Sequence, residues 1–199
     1  MNHVYLFLLA VSVLIFTNPV KATEHNASVV LAGGCFWCIE SDFDKLNGVT
    51  STTSGYTGGT IKNPTYQNYN DKGPNIVPHI EVVKIEYNTT KITYAAVLDY
   101  YFYHIDPTDG DGQFCDRGPS YRPVIFFDGK KELMLAMAAK QKTAKSLGKP
   151  LAVELFPATV FWKAEPYHQN YHSKNLAKYK FYRWNCGRDQ KIKELWSKK

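Results

Sequence analysis

The stretch Ser28-Val29-Val30-Leu31-Ala32-Gly33-Gly34-Cys35-Phe36-Trp37-Cys38-Ile39 compresses a strand, a turn and the opening of a helix. Residues 28–32 read as a buried strand, and Gly33-Gly34 turn it into a segment with helical apolar spacing at Phe36, Ile39, Phe43 and Leu46. Cys35 therefore opens a helix. Downstream, Asn47-Gly48 closes that helix and residues 49–56 form a second strand. Residues 58–78 make a loop rich in Gly, Pro and Asn, of a length that usually carries function. A strand over 79–87, a helix over 93–103, a second long polar loop over 105–121 and a strand over 124–127 follow. The order β-α-β-β-α-β predicts an α+β, ferredoxin-like two-layer core, with helices on one face of a largely antiparallel sheet. Residues 131–147, 151–155 and the aromatic C-terminal stretch add a helix, a strand and a wrapping tail. With no repeat and no linker, residues 23–199 read as a single domain.

The first residues stand apart. Val4 to Phe16 is an almost unbroken apolar run, and Val20-Lys21-Ala22 ends in the small residue a signal peptidase favours. The run is shorter than the ~20 residues that span a bilayer, so residues 1–22 read as a cleaved signal peptide rather than an anchor. The mature chain is then exported, periplasmic or secreted, with no stable membrane insertion. Cleavage removes Lys21 and no acidic residue, taking the net charge from +6 to +5. Nine basic residues lie between Lys174 and Lys199, interleaved with Tyr179, Phe181, Tyr182 and Trp184. That mixture can suit nucleic acid, but a solvated surface with a partly packed aromatic stripe is far commoner and fits an exported protein. No nucleic-acid partner is expected, and the chain is read as a monomer.

Four cysteines in a small exported domain would ordinarily mean two structural disulfides. Their placement argues for chemistry instead. A thiol at a helix N-terminus gains from free N–H groups and the positive dipole end, which is expected to lower the pKa of Cys35. Cys38 lies one helical turn on, so the two sulfurs share a face and form a dithiol centre. A zinc site would need a second ligand pair, and Cys115 and Cys186 are isolated from each other in sequence. His168 and His172, four apart, superficially resemble a zinc-protease helix, but Gln169 stands where the catalytic Glu should be. No metal is expected.

The motifs then converge. Gly33-Cys35-Phe36-Trp37 with Glu40, Gly55-Tyr56-Thr57-Gly58-Gly59, Asn63-Pro64-Thr65-Tyr66, His79-Ile80-Glu81-Val82-Val83, Asp106-Pro107-Thr108 and Gln113-Phe114-Cys115-Asp116-Arg117-Gly118 to Tyr121-Arg122 resemble, in order, peptide methionine sulfoxide reductase of class A. Ala164-Glu165-Pro166-Tyr167-His168-Gln169 and Gly187-Arg188-Asp189 extend the resemblance over about residues 29 to 196. Single blocks are weak signals, whereas six in register are specific.

The resemblance implies reduction of methionine S-sulfoxide, free or in oxidised proteins. It makes Cys35 the nucleophile that becomes a sulfenic acid, and Glu81 the general acid, its pKa raised by burial. Tyr66 and Tyr121 would donate hydrogen bonds to the sulfoxide oxygen, Asp116 would fix the site's architecture, and Phe36 and Trp37 would form the wall against the substrate methyl group. A second thiol condenses with the sulfenic acid. Many relatives carry Gly at position 38 and resolve with a C-terminal cysteine, here Cys186; Cys38 is preferred because it closes the shorter loop. Cys186 would then relay electrons or simply pack, and Cys115 is read as packing. No bound cofactor is needed, since electrons come from thioredoxin or a thioredoxin-like thiol donor. The competing readings are a general thiol-disulfide oxidoreductase, supported only by the Cys-x-x-Cys pair, and a non-enzymatic secreted binding module with all cysteines paired.

Overall fold

The computed structural model describes residues 25–197, so the expected signal peptide lies outside the described residues. In chain order the first elements are β1 (Asn26–Ala32), α1 (Phe36–Phe43), β2 (Val49–Thr57), β3 (Ile80–Asn88) and α2 (Tyr94–Tyr103). A two-residue hairpin pair, β4 (Gly112–Gln113) and β5 (Asp116–Arg117), precedes a 3-10 turn at Pro119–Tyr121 and β6 (Val124–Phe127). The chain continues through α3 (Gly129–Leu147), β7 (Glu154–Pro157), β8 (Trp162–Lys163), α4 (Tyr171–Lys174), α5 (Leu176–Asn185) and α6 (Arg188–Trp196).

The main sheet runs β7-β6-β1-β3-β2-β8. Its central four strands have the ferredoxin-like order and pair antiparallel, while β7 adds parallel to β6 after the α3 crossover. The strand expected over 151–155 starts three residues late, because the Ala152 N–H bonds to the Pro107 carbonyl at 2.8 Å instead of joining the ladder. The C-terminal tail is helical. Its aromatic stripe splits, with Tyr179 buried and Phe181 and Trp184 exposed.

Alternation along β3 decides what faces the helices. Val83, Ile85 and Tyr87 join the principal core with Phe36, Ile39 and Phe43 of α1 and Val97, Leu98, Tyr101 and Phe102 of α2. Burial of each large apolar side chain contributes about 2 kcal/mol. Ile80 and Val82 face the other way, against Val124 and Phe126. Two-residue periodicity therefore puts Glu81 on the helix side of the sheet, on a strand flanked by β1 and β2 and not at an edge.

Candidate active site

The chain turns from β1 into α1 through Gly33 and Gly34. Gly34 has φ +84°, and a Cβ there would lie 2.7 Å from the Gln113 Cβ, so the turn closes tightly on the hairpin loop. The buried guanidinium of Arg188 holds the same turn, donating to the Gly33 carbonyl at 3.1 Å and the His104 carbonyl at 2.7 Å. Cys35 occupies the N-cap position of α1 and is 6% exposed; Cys38 is 2% exposed, and both are free thiols.

Glu81 lies beneath this helix terminus. The Phe36 N–H donates to its Oε2 at 3.0 Å and the Tyr69 hydroxyl to its Oε1 at 2.9 Å. Tyr69 in turn meets the Tyr121 hydroxyl at 2.9 Å. Burial raises the Glu81 carboxyl to about 8 against those two hydrogen bonds, so it holds its proton at neutral pH. Asp116 accepts from the Tyr182 hydroxyl at 2.6 Å and from the Cys35 backbone N–H. Burial raises its carboxyl too, opposed by Tyr182 and Arg188.

Cys35 corrects the expectation of a lowered pKa. Burial pushes its thiol well above the ordinary range, and its hydrogen bond to Cys38 and the neighbouring acidic groups push the same way. Desolvation outweighs the helix terminus. Cys38 moves in the opposite direction, lowered first by the hydrogen bond from Cys35 and then by the charges of Arg188 and Arg183.

Cys35, Phe36, Trp37, Tyr66, Glu81, Asp116, Tyr121 and Tyr182 line one cleft of about 70 Å³. Every residue expected in the site except the resolving thiols thus reaches the cleft wall, and Cys38 sits directly behind Cys35. The apolar wall is held firmly: Trp37 stacks on Tyr171 at 3.7 Å between centroids, and its indole N–H donates to His168 Nδ1 at 3.1 Å. Glu40, buried under this segment, accepts from the Asn170 N–H at 2.9 Å. Tyr66 is the most open member, stacked on Tyr69 at 5.7 Å, with its backbone N–H bound to Glu165 at 2.7 Å.

Sequence reasoning missed Tyr69 and Tyr182. Tyr69 had a usable signal, because it follows Tyr66 by three residues and a turn closed by the Tyr69 N–H on the Thr65 carbonyl brings both rings to the cleft side. His79 serves the loop instead of the chemistry, accepting from Gly59 N–H at 3.1 Å and meeting the Ile61 carbonyl at 2.7 Å. Gln169, which broke the zinc-protease pattern, clips onto the backbone of Ser54 through both ends of its amide.

The reading of Cys115 as packing is overturned. Cys115 is exposed on the β4–β5 hairpin and disulfide-bonded to Cys186, their Cα atoms 5.0 Å apart across a sequence separation of 71. Phe114, at φ +56°, puts its ring over Arg188 and leaves Cys115 directed to the end of α5. Cys115, Asp116 and Cys186 cluster closely enough to be metal ligands, but both sulfurs are committed to the disulfide and offer no thiolate. Other hollows, about 210 Å³ beside Lys180 and Trp184 and about 310 Å³ beside Asn26 and Thr50, lack such convergence of acid, thiol and hydroxyl groups.

Comparison with known proteins agrees with this arrangement. A family model described as peptide methionine sulfoxide reductase matches residues 27–199. The chain is 40% identical over 194 residues to peptide methionine sulfoxide reductase MsrA 2 of Caulobacter vibrioides, covering 97% of each. It is 43% identical over 178 residues to the MsrA 2 of Rhizobium meliloti, covering 89% of this chain and 87% of the relative. The solved structure of Mxr1 from Saccharomyces cerevisiae in reduced form is similar at a TM-score of 0.66 and 27% identity, over 77% of this chain and 88% of that one. The yeast protein in complex with Trx2 shares the fold at a TM-score of 0.53 and 21% identity, over 77% and 90%. A family match across almost the whole described chain, joined to a cysteine-centred cleft, establishes that this chain belongs to the peptide methionine sulfoxide reductase family, as an enzyme of the MsrA type.

Proposed function

We propose that the protein reduces the S epimer of methionine sulfoxide, free or in oxidised proteins, through a sulfenic acid on Cys35. The observation that carries this reading is the placement of Cys35 and the protonated carboxyl of Glu81 in one small cleft with a firmly held aromatic wall. A cleft of about 70 Å³ takes the end of a side chain. Phe36 and Trp37 receive the methyl group, while Glu81, Tyr121 and Tyr66 face the polar oxygen.

The resting site is nearly uncharged, with Cys35 a thiol and Glu81 an acid. The Glu81 proton passes to the sulfoxide oxygen, and positive charge developing on the substrate sulfur lowers the pKa of the adjacent Cys35 thiol. A bond forms between Cys35 Sγ and the substrate sulfur as the thiol proton replaces the one Glu81 gave. The oxygen then bonds to Cys35 Sγ as the S–S bond and the substrate S–O bond break, so that methionine leaves as the thioether and Cys35 is left as a sulfenic acid. Two electrons have moved from the Cys35 sulfur to the methionine sulfur. Donors placed where oxygen charge develops act without reorganising, and Asp116 and Tyr182 position Cys35 from its backbone side.

Cys38 resolves the intermediate. Its lowered thiol attacks Cys35 Sγ, water leaves, and a Cys35–Cys38 disulfide forms. No cofactor is bound in this scheme; a thioredoxin-like dithiol returns the two electrons, a choice supported by the yeast relative's complex with Trx2. The protein acts as a monomer, and residues 1–22 are removed on export. N-terminal sequencing of the protein recovered from its native host should start at Thr23; a start at Met1 refutes the cleavage. Cys35→Ser should release no methionine even in a single turnover, and the wild type should consume only the S epimer. Substantial single-turnover activity in Cys35→Ser would overturn the mechanism.

A further inference from the structure

His168 lies behind the cleft wall and is not itself part of the lining. It is buried, and its ring meets Phe36, Trp37 and Tyr66, three of the lining side chains, at centroid distances of 4.9, 5.7 and 4.6 Å. The Trp37 indole N–H donates and cannot accept, so the His168 Nδ1 that receives it at 3.1 Å must be bare and the ring proton must sit on Nε2. Nε2 is buried with no acceptor in hydrogen-bond reach, 4.0 Å from the Glu165 carboxylate. Glu165 is itself engaged, taking the Tyr66 N–H on one oxygen at 2.7 Å and the Tyr56 hydroxyl on the other at 3.0 Å. One histidine therefore fixes the indole while packing on two more rings of the cleft.

We propose that His168 is a positioning residue for sulfoxide reduction: as a neutral imidazole it clamps Trp37 through Nδ1 and so holds the wall that receives the substrate methyl group, and protonation opens the clamp. This rests on the methyl-wall reading above. A second proton can add only at Nδ1, since Nε2 already carries one. Nδ1–H and the Trp37 N–H then face each other as two donors, and the indole loses its only hydrogen-bond acceptor among the described residues. The groups facing the ring set where this happens. Phe36 and Trp37 from α1 carry no charge, Tyr66 and Tyr167 offer neutral phenols, and Glu165 is the one carboxylate among these neighbours. Burial holds the imidazole below its ordinary 6.5 against the pull of Glu165, so the clamp is closed at neutral pH and opens at some pH below 6.5.

Two substitutions separate the clamp from packing. His168→Asn puts an amide oxygen where Nδ1 stood, an acceptor that does not titrate, whereas His168→Phe keeps a ring and has no acceptor. With blocked methionine S-sulfoxide and dithiothreitol, the wild-type KM should rise as pH falls below 6.5, in step with a shift of the Trp37 indole N–H proton resonance, assigned by its absence in Trp37→Phe. His168→Phe should raise KM by about tenfold already at neutral pH, with kcat changed far less. His168→Asn should recover most of that loss, and neither its KM nor its indole resonance should follow the acid limb. A limb that persists in His168→Asn belongs to another carboxyl, such as Asp116 or Glu40, and overturns the proposal. So does a folded His168→Phe whose KM matches the wild type. Nitrogen-15 shifts of the wild-type imidazole give a check that needs no variant: a proton on Nδ1 at neutral pH refutes the clamp. A wild type that reduces no sulfoxide at any pH would instead overturn the reading beneath it.

Discussion

Glu81→Gln separates the acid's chemistry from its burial. At neutral pH the wild-type side chain is a neutral acid with one oxygen on the Phe36 N–H and the other on Tyr69. An amide has the same shape and can keep both contacts, its carbonyl accepting from Phe36 and its NH2 donating to Tyr69. The fold should survive while the transferable proton is lost, so the single-turnover rate at pH 7 should fall by ~10²-fold or more. In the wild type that rate should also decline as pH rises through about 8, where Glu81 ionises, and this alkaline limb should be missing from the variant.

Stability gives an independent reading. The folded-state pKa of Glu81 lies above its ordinary 4.5, so the unfolded chain ionises first. Burial of this group costs nothing below 4.5, and its cost grows as pH rises from 4.5 to about 8 and then levels off. The gap corresponds to roughly 5 kcal/mol at full development. Glu81→Gln should therefore gain stability relative to wild type by a few kcal/mol between pH 5 and pH 9 in denaturant melts. An unchanged rate with a pH-independent stability difference would refute the reasoning and return Glu81 to a packing role.

Two further outcomes are expected. Arg188→Ala leaves the Gly33 and His104 carbonyls without their buried donor and Asp42 with Arg183 alone, which should cost about 3 to 5 kcal/mol, read as a fall in melting temperature on the order of 10 °C; a change within a degree would show that α6 does not hold the Cys35 turn. Cys38→Ser should release one equivalent of methionine and then stall with a thioredoxin-like donor, and sustained turnover would pass the resolving role to Cys186.

The four central strands and the first two helices were legible because alternation and helical spacing are local, and Thr93 even supplies the N-cap of α2 through its bond from the Ala96 N–H at 3.2 Å. Glu81 was legible only through its motif. Alone it could pass for a surface charge beside Lys84, and its burial follows from strand order, which no local pattern carries. Tyr182 and the Cys115–Cys186 bond were hidden for a related reason. They depend on the tail packing back over the β4–β5 hairpin, a contact between segments about seventy residues apart. The pKa of Cys35 was misread because a helix terminus can be seen in sequence, whereas the depth of burial that opposes it cannot.

The central claim is that the substrate oxygen passes to Cys35, and trapping tests it most directly. Cys38→Ser protein, reduced and then freed of reductant, is mixed with one equivalent of a methionine S-sulfoxide peptide and a sulfenic-acid-specific carbon nucleophile. The account predicts that the trap adduct maps to Cys35 in proportion to the methionine released. Methionine released without any adduct or disulfide at Cys35, or an adduct at another cysteine, would contradict it.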